Sequence, residues 1–112
     1  MADDCLFCRL VAGEIPATVV RETDDTLAFR DISPRAPVHV LVVPKAHHAN
    51  VGDLAAADPS LAARLVAEAA TVAAAEGVGD AWRLVFNTGA GVGQTVFHVH
   101  AHVLGGGAIE AM

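Results

Sequence analysis

Apolar positions along this chain change period three times, and each change predicts an element. Residues 4–12 read as a short helix that stops at Gly13, and Ile15-Pro16 turns the chain. Thr18 to Glu22 and Thr26 to Asp31 read as two strands joined at Asp24-Asp25, a β-hairpin. Ser33 to Pro37 carries two prolines and reads as loop, and Val38 to Val43 reads as a short buried strand. At Asp58-Pro59 an N-cap residue precedes a proline at the first helical position, and the helix it opens runs to about Glu76 before Gly77. Leu61, Leu65 and Val72 fall on one side of that helix, while Arg64, Glu68 and Thr71 lie elsewhere. Trp82 to Asn87 and Val96 to Leu104 read as strands around a glycine-rich loop, Thr88 to Gln94, and the tail from Gly105 reads as mobile. About five strands with one long and one short helix predict an α+β fold built on an antiparallel sheet.

Composition narrows what such a fold does. The chain has 112 residues, one domain (1–112) by length, and no internal repeat or linker. It is 54% hydrophobic yet only 4% aromatic, with a mean hydropathy of +0.46, so Ala and Val supply the apolar share. That surplus on a small domain fits a covered face between two copies, a homodimer, although an Ala-rich helix raises the same index. The net charge of −6 argues against nucleic acid or an anionic membrane as partner. No stretch reaches the roughly 18 apolar residues of a membrane span, and the acidic start Met1-Ala-Asp-Asp lacks the basic character of a signal peptide. A cytoplasmic protein is expected, in which two cysteines are thiols or metal ligands before they are a disulfide.

The chemistry concentrates in Gly93-Gln-Thr-Val-Phe-His98-Val-His100-Ala-His102-Val-Leu104. In a strand, residues two apart share a face, so His98, His100 and His102 point one way and Phe97, Val99, Ala101 and Val103 point into a core. Core packing has no need of three imidazoles on one face. Two chemistries do: metal ligation, and direct action on phosphate by neutral imidazole as nucleophile and protonated imidazole as donor. Gly89, Gly91 and Gly93 stand at alternate positions just ahead, where glycine lets backbone N–H groups crowd an anion. The loop lacks the Gly-Lys-Ser/Thr of a P-loop and the spacing of a dinucleotide fingerprint. Next to three histidines it reads as a phosphate cradle, with Asn87, His102 and the backbone N–H groups of Gly93 and Thr95 as donors to phosphate oxygens.

His98-Val-His100-Ala-His102-Val-Leu104 resembles the alternating His-apolar signature of the histidine triad (HIT) superfamily. Glu14-Ile-Pro16, Asp31-Ile-Ser-Pro34, His39-Val-Leu-Val-Val-Pro44 and Gly93-Gln-Thr-Val-Phe-His98 extend the resemblance over nearly the whole chain, and Gly-Gln favours the Hint branch. The resemblance implies a HIT-like fold and a purine nucleoside phosphoramidase acting on AMP or GMP derivatives. His100 would be the nucleophile, with His102, His98, His39 and Thr95 in the catalytic group; Thr95 stands where the family usually has Ser. Asp31 would hold the ribose, and Leu6, Phe7, Leu10, Ile15, Phe29 and Ile32 the base, with Asn87, Gly93 and Gln94 completing the nucleotide site. It further implies a structural zinc on Cys5, Cys8, His47 and His98, with no cofactor needed for catalysis, and a homodimer. Cys5-x-x-Cys8 has metal-ligand spacing in its own right, while His48 competes with His47 and two free thiols on one helix face are the plain alternative. Many Hint proteins continue past Gly-Gly with a Trp-Pro tail; here the chain reads Gly105-Gly-Gly-Ala-Ile-Glu-Ala-Met112, which puts choice of leaving-group amine in doubt. A dinucleoside polyphosphate hydrolase, a non-catalytic nucleotide-binding regulator and a metal-dependent hydrolase using all three histidines remain as alternatives.

Overall fold

The architecture follows from the alternation of the strands. In the computed structural model, residues 5–107 are described. Strands β1 (Val19–Glu22), β2 (Thr26–Arg30), β3 (Val38–Pro44), β4 (Trp82–Val85) and β5 (Ala101–Gly105) form one five-stranded sheet in the order β1-β2-β3-β5-β4. All four pairings are antiparallel. Helices α1 (Leu6–Val11), α2 (Val51–Ala57) and α3 (Pro59–Ala75) complete the α+β fold. No helix among the described residues is long and apolar enough to cross a membrane.

The period of two sorts side chains onto two faces. Ala28, Val40, Val42, Ala101 and Val103 pack beneath α3 with Leu61, Leu65, Ala69, Val72 and Ala73. Leu27, Phe29, Leu41 and Val43 take the opposite face, where Cys5 and Phe7 of the α1 segment cover them. One sheet face is thus core. The other is covered only in part, and that is the face onto which His39 and His102 project beside Leu41, since Leu41 pairs with His102 and His39 with Leu104.

Local chemistry sets the helix ends. The Asp58 carboxylate accepts from Leu61 N–H at 3.1 Å and Pro59 opens α3, as the Asp-Pro pair predicts. Asp58 also ends α2, because a residue before proline is held out of the helical region. Sequence analysis leaves α2 unassigned: seven residues are too short for a helical period to stand out. Its signal is the cap, Asn50 Oδ1 accepting from Asp53 N–H at 2.9 Å. Gly77 ends α3 region with φ +81°, where a side chain would be strained.

The last strand departs from expectation. The predicted run Val96 to Leu104 enters the sheet only at Ala101, and residues 96–100 form irregular backbone. The segment is drawn off the sheet by a tertiary bond, Val99 N–H to the His48 carbonyl at 2.7 Å. Phe97, expected in the core with Val99, is instead 51% exposed. The predicted strand from Trp82 ends at Val85; Gly105, expected to open a mobile tail, is instead the last residue of β5, and residues 108–112 of that tail lie outside the described residues. A methyl group on Gly105 would stand 3.0 Å from two Val78 carbons and 3.2 Å from the Ala81 carbonyl. Gly105→Ala is therefore expected to cost about 1–3 kcal/mol by overpacking, read as a lower urea midpoint; an unchanged midpoint would show that Val78 moves aside freely.

Candidate active site

Three histidines in five residues go to three different surroundings. His98 is fully buried, and its Nε2–H donates to the Pro44 carbonyl at 2.8 Å. A neutral ring has one N–H, so this bond leaves the Nδ1 lone pair free. Nδ1 lies 3.3 Å from Cys5 Sγ, 3.4 Å from Cys8 Sγ and 3.2 Å from His47 Nδ1. Cys8 Sγ and His47 Nδ1 are 3.3 Å apart, and all four donor atoms fall within 4.8 Å of one another. His48 stays outside this group and contributes its carbonyl to Val99 instead.

Donor chemistry fits a tetrahedral zinc. Bond lengths of roughly 2.3 Å to sulfur and 2.0–2.1 Å to nitrogen place tetrahedral ligands about 3.3–3.8 Å apart, and the spacings here lie within a few tenths of an ångström of that. Desolvation first, and then Cys5 beside it, raises the Cys8 thiol to about 11. A cation is what would let it act as a thiolate.

His100 lies just ahead of β5. Its Nδ1–H donates to the His98 carbonyl at 2.8 Å, which leaves the Nε2 lone pair as the reactive nitrogen. Phe7 stands edge-to-face with this ring, centroids 5.1 Å apart at 89°, and the His102 ring lies at 5.0 Å.

His102 sits in β5 and is set by a relay. Arg35 backbone N–H donates to His39 Nδ1 at 3.0 Å, so the proton of a neutral His39 is on Nε2. That N–H donates to His102 Nδ1 at 2.9 Å, with Asp31 Oδ2 3.3 Å from the same nitrogen. His102 therefore carries its proton on Nε2, which is buried and has no hydrogen-bond partner among the described residues. His102 lines a cavity, and a buried donor without a partner in such a residue suits an anion's oxygen. Burial lowers the His102 pKa to about 4, aided by His100, His39 and Arg35 and opposed by Asp31; burial also lowers His39. Both rings are thus neutral near pH 7.

A sign follows for stability. The unfolded chain's histidine takes up its proton near pH 6.5 and folded His102 only near 4. Stability is therefore present above pH 6.5 and is lost as pH falls toward 4. The urea midpoint is expected to drop by a few tenths molar between pH 7 and pH 4.5, and the drop should shrink in His102→Gln. An equal acid slope in both proteins would refute the assignment.

The cavity beside these rings has a volume of about 880 Å³. Leu6, Phe7, Leu10, Ile15, Phe29, Asp31 and Ile32 line it with Gly93, Thr95, His100 and His102. Ile32 is 98% exposed, so it stands at the mouth. Asn87, Gln94, His39 and His98 do not line it. Gln94 is buried and uses its side chain on backbone: Oε1 accepts from Gly89 N–H at 2.8 Å, and Nε2 donates to Ala49 at 2.7 Å and Val96 at 3.1 Å. It thereby holds the glycine loop against the β3–α2 connection. Gly93 has φ +95°, and its N–H goes to the Ala90 carbonyl at 3.1 Å, so it offers the cavity a bare Cα, not a free donor. Arg35 is the participant that sequence reasoning missed, because a backbone donor leaves no side-chain signature.

Thus the three histidines do not converge on one metal: His98 joins the cysteines, His102 the Asp31–His39 relay, and His100 neither. Comparison with known proteins identifies the family. Residues 12–108 match the HIT domain family. An uncharacterized HIT-like protein of Synechocystis is 49% identical over 106 residues, spanning 95% of this chain and 93% of that protein. The purine nucleoside phosphoramidase of Escherichia coli K12 is 39% identical over 113 residues, spanning 100% and 95%. The crystal structure of a HIT family hydrolase from Legionella pneumophila superposes with a TM-score of 0.90 at 48% identity, covering 95% of this chain and 96% of that one. A HIT family hydrolase from Clostridium thermocellum gives 0.92 at 38%, covering 98% and 96%. The chain belongs to the HIT family.

Proposed function

We propose that this protein hydrolyses the P–N bond of purine nucleoside 5′-phosphoramidates, derivatives of AMP or GMP, through a nucleotidyl-His100 intermediate. The observation that carries the reading is the pair of opposed tautomers: His100 Nε2 presents a lone pair and His102 Nε2 presents an N–H at one end of the same cavity. The base lies among Leu6, Phe7, Leu10, Ile15 and Phe29, and Asp31 accepts from the ribose hydroxyls. His100 Nε2 attacks the α-phosphorus while His102 Nε2–H donates to a non-bridging oxygen. The P–N bond breaks, and the amine leaves after taking a proton, for which the Thr95 hydroxyl on the cavity wall is one candidate route. Water then attacks the adduct, releasing the nucleoside monophosphate and regenerating His100.

His98 serves this machinery from behind, since its carbonyl orients His100 while its ring belongs to the cysteine group. Zinc held by Cys5, Cys8, His47 and His98 ties α1 to the segment carrying the nucleophile and supplies no reacting group. A homodimer accords with the apolar composition and with the half-buried edge strand β4. A dinucleoside polyphosphate hydrolase would use the same nucleophile with a phosphate leaving group.

The test is turnover of an adenosine 5′-phosphoramidate bearing a fluorogenic amine, followed by alkaline quench to trap a base-stable, acid-labile adenylyl adduct. Amine release with the adduct on residues 98–102 is the expected result. Absence of turnover with tight AMP binding would replace the enzyme with a nucleotide-binding regulator.

A further inference from the structure

Among the described residues lining the cavity, Arg30 is the one lysine or arginine, and its guanidinium is already paired with Glu76. His39 and His102 are neutral, and Asp31 is a carboxylate beside them. The chain carries seven Lys and Arg against thirteen Asp and Glu. Arg9, Arg21, Arg30, Lys45 and Arg64 each face a carboxylate, and Arg83 is engaged as well. Arg35 is the exception: among the described residues its guanidinium has no partner, although carboxylates outnumber cations almost two to one.

Its place in the fold is specific. The Arg35 backbone N–H is bonded to His39, and His39 to His102, so the residue is tethered to the phosphate end of the cavity. The side chain is exposed and lies outside the cavity that takes the nucleoside. Its charge reaches both His39 and His102. The α-phosphate is served by N–H dipoles at His102, so what lies beyond it, away from Phe7 and Phe29, is the leaving group.

We propose that Arg35 selects substrates whose leaving group carries an anionic group, a carboxylate or a phosphate, past the α-phosphorus. This rests on the hydrolase reading, and it specifies the substrate class for that site. A guanidinium suits either anion because its N–H groups form a planar fork. At this exposed position, attraction worth about tenfold in kcat/KM is the expected scale, or about 1.4 kcal/mol.

Two matched substrates test it: adenosine 5′-phosphoramidates of glycine, with a free carboxylate, and of glycinamide, without one. The readout is the ratio of their kcat/KM values within each protein, which cancels any effect of substitution on the His39 contact. Wild type should prefer the glycine substrate about tenfold, less at high salt as the charge is screened. Arg35→Gln should bring the ratio to about one, and Arg35→Lys should restore most of it. A wild-type ratio near one, or an unchanged ratio in Arg35→Gln, overturns the inference while the reaction stands. If neither substrate turns over, the reaction fails and calorimetry decides the inference alone. ADP should then bind more tightly than AMP in wild type by a margin that Arg35→Gln removes; equal margins overturn it.

Discussion

His100→Ala is expected to lower kcat by about four orders of magnitude or more and to abolish the acid-labile adduct. Removing a nucleophile from a covalent mechanism leaves only binding and electrostatic stabilisation, and losses of 10⁴ to 10⁶ are the usual scale. The structure makes the expectation specific to one nitrogen. The His98 carbonyl holds the Nδ1 proton, so Nε2 is the free base, and no other ring in the cavity presents a lone pair. His102→Ala should cost less, about 10² to 10³, the cost of one donor to a developing oxyanion, and should still form adduct slowly. Single-turnover kinetics with mass spectrometry of the quenched protein separates the two variants. Turnover by His100→Ala near the wild-type rate would remove the nucleophile assignment. Circular dichroism should accompany it, because the ring also packs on Phe7.

Removal of the metal group is expected to have the next largest effect, on stability more than on chemistry. A metal that binds only the folded chain at a thousand times its dissociation constant adds about 4 kcal/mol. For a domain of this size that corresponds to a Tm shift on the order of 15 °C. Protein purified without chelator should contain about one zinc per chain. EDTA should lower the Tm by that shift in wild type and by nothing in the double variant Cys5→Ser, Cys8→Ser. Turnover should fall only severalfold, because the group acts through the placement of His98 and its carbonyl. Metal-free, chelator-insensitive wild type would refute zinc. Complete loss of turnover with EDTA would point instead to a metal at Asp31, His39 and His102, the other cluster with suitable spacing.

These two predictions share residue 98. Its ring faces the cysteines and its carbonyl faces His100, so one residue couples the stability of the α1 segment to the orientation of the nucleophile. A spacing of two in the chain is what allows this, provided the segment leaves the strand geometry that alternation predicts.

Much of the arrangement was legible in the residues alone, because it depends on local physics. The period of two in β2 and β3, the Asp58-Pro59 start and the Gly77 stop of α3 are set by side-chain direction, an N-cap and a positive φ. His100 and His102 were legible as a chemical pair, and Cys5 and Cys8 as a pair with metal-ligand spacing, since two- and three-residue spacings survive any fold. The tertiary structure decided what spacing leaves open. It chose His47 over His48, because the Val99 N–H claims the His48 carbonyl and turns the chain so that residue 47 meets the cysteines. It turned Phe97 outward, used Gln94 to brace a loop, and assigned each imidazole its proton through a backbone group: Pro44 for His98, the His98 carbonyl for His100, and Arg35 by way of His39 for His102. A sequence records which rings are present. Where His98 and His102 keep their protons is set by partners 54 and 63 residues away, which only folding brings within 3 Å, and His100 takes its own from a carbonyl two residues back.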